Sequence, residues 1–523
     1  MRAPALERLA AEQQVQLIGV PAPRGTITDT NGVFLAVSEP ADDIAADPAL
    51  ITNPAAAAAR LSPMIGVPQS LLLPRLADRA SQFVYLARAL PQAAADAVMH
   101  SGVPGLTATP VNRRVYPRGA LAAQVLGLVG TAGSGLAGLE FGENSILGGS
   151  SGERRIVDDG RGQPISISNL RAAKSGESIQ LTLDANIQAR AEDVLEAIGR
   201  VYSPLDATAI VMNPDTGALL AVANWPRIDD NTLQGYSADN QEDRAIGFDF
   251  EPGSTFKIVT VAGALTQGLV TPETQFNLPP SIQVGGRVIH DAEPRGWETL
   301  STSGILAQSS NVGAITIALR LGANDFNDWV HRFGFGSPTG VDLPGEEPGV
   351  VIPPSQYSGS SMGNLPIGQG ELVTPLQIAN AYAAIANGGI LRAPHIIQRV
   401  NGKPVPEPKG RRIISTTVAA EVRSMLQGVL APGGTASEVS IPGYELAGKT
   451  GTANKVDPAT GQYSQTAYVA SFVGFAPAKD PKLLCAVVVD QPQGDIYGGT
   501  VAAPAFGQIM GFALPYLGIA PNS

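Results

Sequence analysis

Two pairs of apolar segments, far apart in the chain, constrain the fold more than any other feature. Residues 208–212 and 218–223 flank Asn213-Pro214-Asp215-Thr216-Gly217, turn chemistry that reads as a hairpin. Residues 467–475 and 483–489, separated by Pro477 and Asp480-Pro481, read as a second hairpin. Helix-period segments fill the space between the two. Strands at both ends with helices between them predict an α+β domain whose first and last strands meet in one antiparallel sheet.

At 523 residues the chain is too long for one ordinary domain. We place a boundary near Lys174-Ser175-Gly176, dividing it into 1–175 and 176–523. In the first part, residues 1–20 carry Leu6, Leu9, Ala10, Gln13 and Leu17 at helical spacing. Residues 24–36 alternate around Asn31-Gly32, a hairpin signal. Residues from about 54 to 101 are rich in Ala and Leu with little β-branching, which predicts a small helical subdomain. In the second part, 179–183 alternates as a strand. Asp184 then caps a helix bearing Ile187, Ala191, Val194, Leu195 and Ile198.

Composition excludes some functions. The balance of 35 basic against 46 acidic residues gives −11, which argues against a nucleic-acid partner. Cys485, in Leu484-Cys485-Ala486-Val487, is the one cysteine, so no intrachain disulfide forms and a buried strand position is expected. His100, His290, His331 and His395 lack metal-ligand spacing, and neither metal nor cofactor is expected. No apolar run reaches the length of a membrane span, and no signal peptide is visible. Either the protein is soluble, or an N-terminal anchor precedes this sequence.

The chemistry concentrates at Glu251-Pro252-Gly253-Ser254-Thr255-Phe256-Lys257. The apolar periodicity of Phe256, Ile258, Val259, Val261, Ala262 and Leu265, closed by Gly268, predicts a helix starting near Ser254. Ser254 and Lys257 would share a face at its N-terminus. A serine hydroxyl becomes a nucleophile when a neighbouring base takes its proton, and an uncharged lysine is such a base. Unpaired N–H groups at the helix start could stabilise an oxyanion. On its own S-x-x-K is a common chance match.

Two further polar clusters interrupt apolar runs. Ser309-Ser310-Asn311 lies between 305–307 and 312–319, and Lys449-Thr450-Gly451-Thr452 follows the strand-like 444–447. Together the three clusters hold the equipment for acyl transfer: Ser254 attacks, Ser309 relays a proton, and the Lys449 strand holds a substrate carboxylate. Clustered cations lower each other's pKa, which would leave Lys257 partly neutral. The order S-x-x-K, S-x-N, K-T-G at domain-scale spacing is much rarer than any one motif.

In these motifs the chain resembles class B penicillin-binding proteins, the D,D-transpeptidases of peptidoglycan synthesis, and the division (septal) type more than the elongation type. Residues 24–36, 114–119 and 135–140 resemble the family's non-catalytic pedestal. Residues 251–257, 309–311, Gly368-Gln369-Gly370 with Thr374-Pro375, and 449–452 resemble its transpeptidase domain. The resemblance implies an antiparallel sheet with flanking helices, β-lactamase-like, behind an elongated mixed α/β pedestal. It implies Ser254 as acyl-enzyme nucleophile, Lys257 as base, and Ser309, Asn311 and Lys449 as proton-shuttle and positioning groups. Thr450, Gly451 and Thr452 would bind substrate, with the backbone N–H groups of Ser254 and Thr452 as oxyanion hole. Implied partners are stem peptides ending in D-Ala-D-Ala, β-lactams, a membrane-embedded glycan polymerase and division proteins. An N-terminal membrane anchor with an extracytoplasmic catalytic domain is implied as well. Thr30 departs from the pattern, where the family usually has arginine.

Rival readings weigh against this. Gly443-Tyr444-Glu445-Leu446-Ala447-Gly448-Lys449-Thr450 matches the P-loop pattern, but Pro442 before it and Gly451, Asn454, Asp457-Pro458 and Gly461 after it are turn chemistry rather than a helix start. Two G-x-S-x-G matches, at Ser150 and Ser361, lie in Gly/Ser-rich loops. A serine β-lactamase or β-lactam sensor shares the three motifs, but needs no pedestal, and no glutamate stands out for deacylation.

Overall fold

A computed structural model describes residues 15–522, apart from 159–163, 233–236, 238 and 458. The two hairpins do meet. Asp206–Met212, Leu219–Trp225, Ala447–Val456, Tyr463–Ala476 and Leu483–Asp490 form a five-stranded antiparallel sheet, with the C-terminal strand Leu483–Asp490 between Asp206–Met212 and Tyr463–Ala476. Strand residues alternate between two faces, and here both faces are covered. Cys485, Val487 and Val489 join one apolar cluster with the helices Ala185–Tyr202 and Ala502–Tyr516. Leu484, Ala486 and Val488 join the other, with Lys257–Thr266 and Pro375–Ala386. Double coverage is why this strand reads as an unbroken apolar run, and Cys485 is fully buried as expected.

Asp184 caps Ala185–Tyr202, accepting from the N–H groups of Asn186 and Ile187 at 2.9 and 3.2 Å. Ile179–Leu181 has a less expected place. It pairs in parallel with Ile27–Thr28 on one side and antiparallel with Ile397–Val400 on the other. A seven-stranded sheet therefore links segments from both ends of the chain.

In the N-terminal part, three motif segments converge on one carboxylate. Glu140, fully buried, takes Arg24 Nη2 at 2.7 Å and Arg114 Nε at 2.6 Å. Gly25 passes so close to the 177 carbonyl that a Cβ there would stand 1.8 Å from its oxygen. Asp29 Oδ1 accepts from Asn31 and Val33 N–H, closing the hairpin turn, and Thr30 Oγ1 reaches Gln398 Oε1 at 3.3 Å.

Three expectations change. The helix over 1–20 is replaced, where it is described, by a strand Val15–Val20 paired with Gly152–Asp158; Leu6, Leu9, Ala10 and Gln13 lie outside the described residues. The subdomain at 54–101 has helices Pro54–Ile65, Gln69–Ala77 and Gln92–Met99, but Val84–Pro91 is a strand that extends the Phe34–Ala46 sheet. An unpaired edge of that long strand outweighs the helix propensity of Leu86, Ala87 and Ala89. Lys449 to Thr452 lies within the strand Ala447–Val456 rather than after one. A strand at Lys449-Thr450, with no helix opening there, removes the P-loop reading.

Candidate active site

Ser254 sits on a tight turn rather than in the first α-helical turn. Gly253 adopts φ +55°, Gly253–Phe256 winds as a 3-10 helix, and the α-helix begins at Lys257. The positive φ favours glycine, and the turn is clamped by Gly253 N–H donating to Gly368 O at 2.9 Å. Phe256 anchors it from below, fully buried with its ring 4.9 Å from that of Phe335. At the far end Gly268, φ +68°, follows the helix, and its N–H donates to the Leu265 carbonyl at 3.0 Å, so the expected stop signal holds.

The second motif is also a turn between helices. Thr302–Ala307 ends, Ser309 takes φ +59°, and Asn311–Leu321 begins with Ser310 as its cap, accepting from Gly313 N–H at 3.0 Å. Of the two serines, the buried Ser310 serves the helix. Ser309 faces the first motif.

The third motif is the free edge of the five-stranded sheet. Within an antiparallel strand the N–H and C=O of one residue point to the same side. A Cβ on Gly253 would lie 3.1 Å from the Thr452 carbonyl, so that edge of Thr452, its N–H included, faces the nucleophile turn. Gly451 contributes closeness rather than a side chain: a Cβ there would be 2.3 Å from Ser471 Oγ and 3.0 Å from the Pro252 carbonyl.

Between these three walls, two fully buried lysines meet one hydroxyl. Lys257 Nζ donates to the Ser309 carbonyl at 2.6 Å and to Asn311 Oδ1 at 2.7 Å, and lies 3.3 Å from Ser309 Oγ. Lys449 Nζ donates to Ser309 Oγ at 2.9 Å and to the Thr450 carbonyl at 3.0 Å. Among the described residues Lys257 has no hydrogen bond to Ser254; its partners all come from the second motif. Asn311 Nδ2 donates to the His290 carbonyl at 3.0 Å, which fixes its oxygen toward Lys257.

Electrostatics follow from burial. Desolvation brings the Lys257 pKa down to about 7, helped by the Arg295 cation and opposed by Asp291. Lys449 is pushed well below its ordinary value, first by desolvation and then by Lys257. The sequence argument credited clustered cations; burial is the larger cause. Two carbonyl-type acceptors occupy two N–H groups of Lys257, so a neutral amine keeps its lone pair for a hydroxyl proton.

Ser254, Ser309, Asn311, Thr450 and Thr452 line one cleft of about 870 Å³. Lys257 and Lys449 lie beneath its floor. Thr450 Oγ1 and Thr435 Oγ1 are 2.7 Å apart, and Gly498 N–H donates to Thr452 Oγ1 at 3.1 Å. The arrangement brings together a half-buried hydroxyl, two amines that burial pushes toward the uncharged form and oriented N–H groups, the requirements of serine acyl transfer.

The description "Penicillin binding protein transpeptidase domain" matches residues 207–511, and "Penicillin-binding Protein dimerisation domain" matches 19–181. The chain belongs to the penicillin-binding protein family. It is 37% identical over 448 residues to penicillin-binding protein PbpB of Mycolicibacterium smegmatis, covering 83% of this chain and 69% of that one. It is 34% identical over 507 residues to the peptidoglycan D,D-transpeptidase FtsI of Escherichia coli K12, covering 96% and 84%. The crystal structure of penicillin-binding protein 3 from Mycobacterium tuberculosis with ampicillin superposes with a TM-score of 0.77 at 31% identity, covering 96% of this chain and 97% of that one. The penicillin-binding protein fold is thus shared nearly end to end.

Several residues of this penicillin-binding site went unread in the sequence. Asp291 and Arg295 follow the hairpin strands Ser281–Val284 and Arg287–His290, and no spacing rule ties them to Ser310 or Lys257. Thr435 was signalled weakly by Gly433-Gly434, a turn that brings backbone close. Glu293, exposed, is the one carboxylate on the cleft wall among the described residues.

Proposed function

We propose that this chain is a peptidoglycan D,D-transpeptidase of septal wall synthesis, acting through an acyl-enzyme on Ser254. Neutral Lys257 takes the Ser254 proton as Oγ bonds to the carbonyl carbon of a terminal D-Ala-D-Ala. The N–H groups of Ser254 and Thr452 hold the oxyanion. The C–N bond then breaks, and free D-alanine leaves with a proton passed through Ser309. Lys449, Thr450 and Thr452 hold the terminal carboxylate, with Gly451 keeping that strand against the serine turn. An acceptor amine next attacks the ester, forming the cross-link and restoring the Ser254 hydroxyl. β-Lactams enter as analogues of D-Ala-D-Ala and stay as the ester.

The observation that carries this reading is Ser309 Oγ, within hydrogen-bond reach of two fully buried lysines at the base of the Ser254 cleft. Residues 1–175 form the pedestal and 176–523 the transpeptidase domain. The pedestal docks a membrane-embedded glycan polymerase and division proteins, and an N-terminal anchor holds the enzyme with its catalytic domain outside the cytoplasm. Among the described residues no helix is long and apolar enough to cross a membrane.

Labelling with a fluorescent penicillin followed by peptide mapping tests the chemistry. The adduct is expected on Ser254 and absent from Ser254→Ala; an adduct on Ser309, or undiminished labelling of the variant, overturns the assignment. Rapid multiple turnover of penicillin would instead favour a β-lactamase.

A further inference from the structure

The turn that carries Ser309 and Asn311 is held from outside the three motifs. Asp291 follows directly on Arg287–His290, and its carboxylate accepts from Ser310 Oγ at 2.9 Å, from Val312 N–H at 3.0 Å and from Asn311 N–H. The preceding residue supplies the carbonyl that fixes the Asn311 amide. His290-Asp291 therefore grips both the backbone and the side chain of Asn311. Among the described residues Asp291 is the one anion found acting on Lys257. Arg295 acts on it as a cation, and Lys449 is the neighbouring buried amine. The helices packed on it spend their charges elsewhere: Arg320 lies over the Phe276 ring, Asp325 takes Gln267 at the helix's far end, and Arg423 reaches the carbonyls of Ile385 and Ala386. Glu251, near Ser254 in sequence, is taken by Gly370 N–H and Tyr463 Oη.

We propose that Asp291 is a positioning residue for the acylation step. Its carboxylate holds Ser310 and Asn311 so that the Ser309 carbonyl and Asn311 Oδ1 occupy two N–H groups of Lys257, and the remaining position of that nitrogen points to hydroxyl. Its negative charge also favours the charged amine, and so raises the pH at which the lysine becomes neutral against the larger effect of burial. The inference rests on the reading of Ser254 as nucleophile and Lys257 as base.

The test is the second-order rate of Ser254 acylation by a fluorescent penicillin, measured from pH 5 to 9.5 on the acid limb and plateau, with thermal unfolding alongside. In Asp291→Asn an amide oxygen still caps the helix but the charge is gone. The plateau is expected to fall about tenfold or more, and the acid limb to move to lower pH, because a lysine without its anion deprotonates more readily. Ser310→Ala keeps the charge and loses one hydrogen bond, so its plateau falls while its limb stays in place. A purely structural role would lower the melting temperature without moving the limb. A folded Asp291→Asn whose limb stays where it is in the unsubstituted protein overturns the proposal, whatever its plateau does. Failure of the unsubstituted protein to acylate at Ser254 overturns the function itself, and this proposal with it.

Discussion

The hydroxyl of Tyr382, fully buried in the helix Pro375–Ala386, donates to the Thr255 carbonyl at 2.8 Å. Thr255 directly follows Ser254, so a tyrosine far away in sequence tethers the serine turn from beneath. Burial alone holds the phenol far above its ordinary pKa, and it stays a donor throughout the working range. Tyr382→Phe leaves a buried carbonyl without a partner, at a cost of about 1–3 kcal/mol. Urea unfolding should register that loss and stopped-flow acylation should slow with it. A phenylalanine variant identical in both would show the tether to be idle.

Acylation should follow the protonation of Lys257. Its pKa is lowered to about 7, so the neutral base predominates above that pH and is lost below it. The rate is expected to fall about tenfold per pH unit on the acidic side. Lys257→Arg keeps the charge but cannot give up its proton, and should be nearly inert at every pH. An arginine variant with most of the rate would move the base elsewhere.

Gly451→Ala should damage chemistry more than stability. The new methyl would meet Ser471 Oγ, which can rotate, but also the Pro252 carbonyl, which is backbone of the serine turn. We expect acylation to drop while the melting temperature changes by a few degrees at most, about 1 kcal/mol. A fully active alanine variant would mean that the edge strand and the turn can separate freely.

In the N-terminal part, Glu140→Gln keeps volume but leaves the guanidinium groups of Arg24 and Arg114 buried against a neutral amide. Breaking a buried ion pair from one side costs about 3–5 kcal/mol. Thermal unfolding should shift accordingly, and replacing Arg24 by Met as well should recover part of the loss. An unshifted transition would show that the triad adds nothing to stability.

Local signals carried the parts of the fold that are locally decided. The 3.6-residue period of Ile187 to Ile198 marked a helix, Asn213 to Gly217 marked a hairpin, and Gly268 marked a helix end. The three motifs of the candidate site were legible because each pairs reactive side chains with an apolar element that positions them. What stayed hidden was long-range. Val84–Pro91 became a strand because Phe34–Ala46 offered it an edge. The turn at Gly253 depends on Gly368, and Asp291 reaches Ser310 only after a hairpin has folded back. The lowered pKa of Lys257 comes mainly from burial, which no neighbour in sequence announces.

The position of Leu483–Asp490 has a consequence for how the protein is made. This strand leaves the ribosome after both of its neighbours, and it joins the adjacent Tyr463–Ala476 to Asp206–Met212, which lies far earlier in the chain. Until it arrives, Asp206–Met212 and Tyr463–Ala476 each present an open edge, and the hairpin bearing Thr450 and Thr452 is not joined to Asp206–Met212. Closure that waits on such distant pairings is slow, and exposed edges meanwhile invite association with other chains. The serine turn waits on the Gly368 carbonyl, and its Thr450-Thr452 wall waits on the sheet that Leu483–Asp490 completes. A chain cut before Leu483 would therefore carry Ser254 without the completed sheet that brings Thr450 and Thr452 to it.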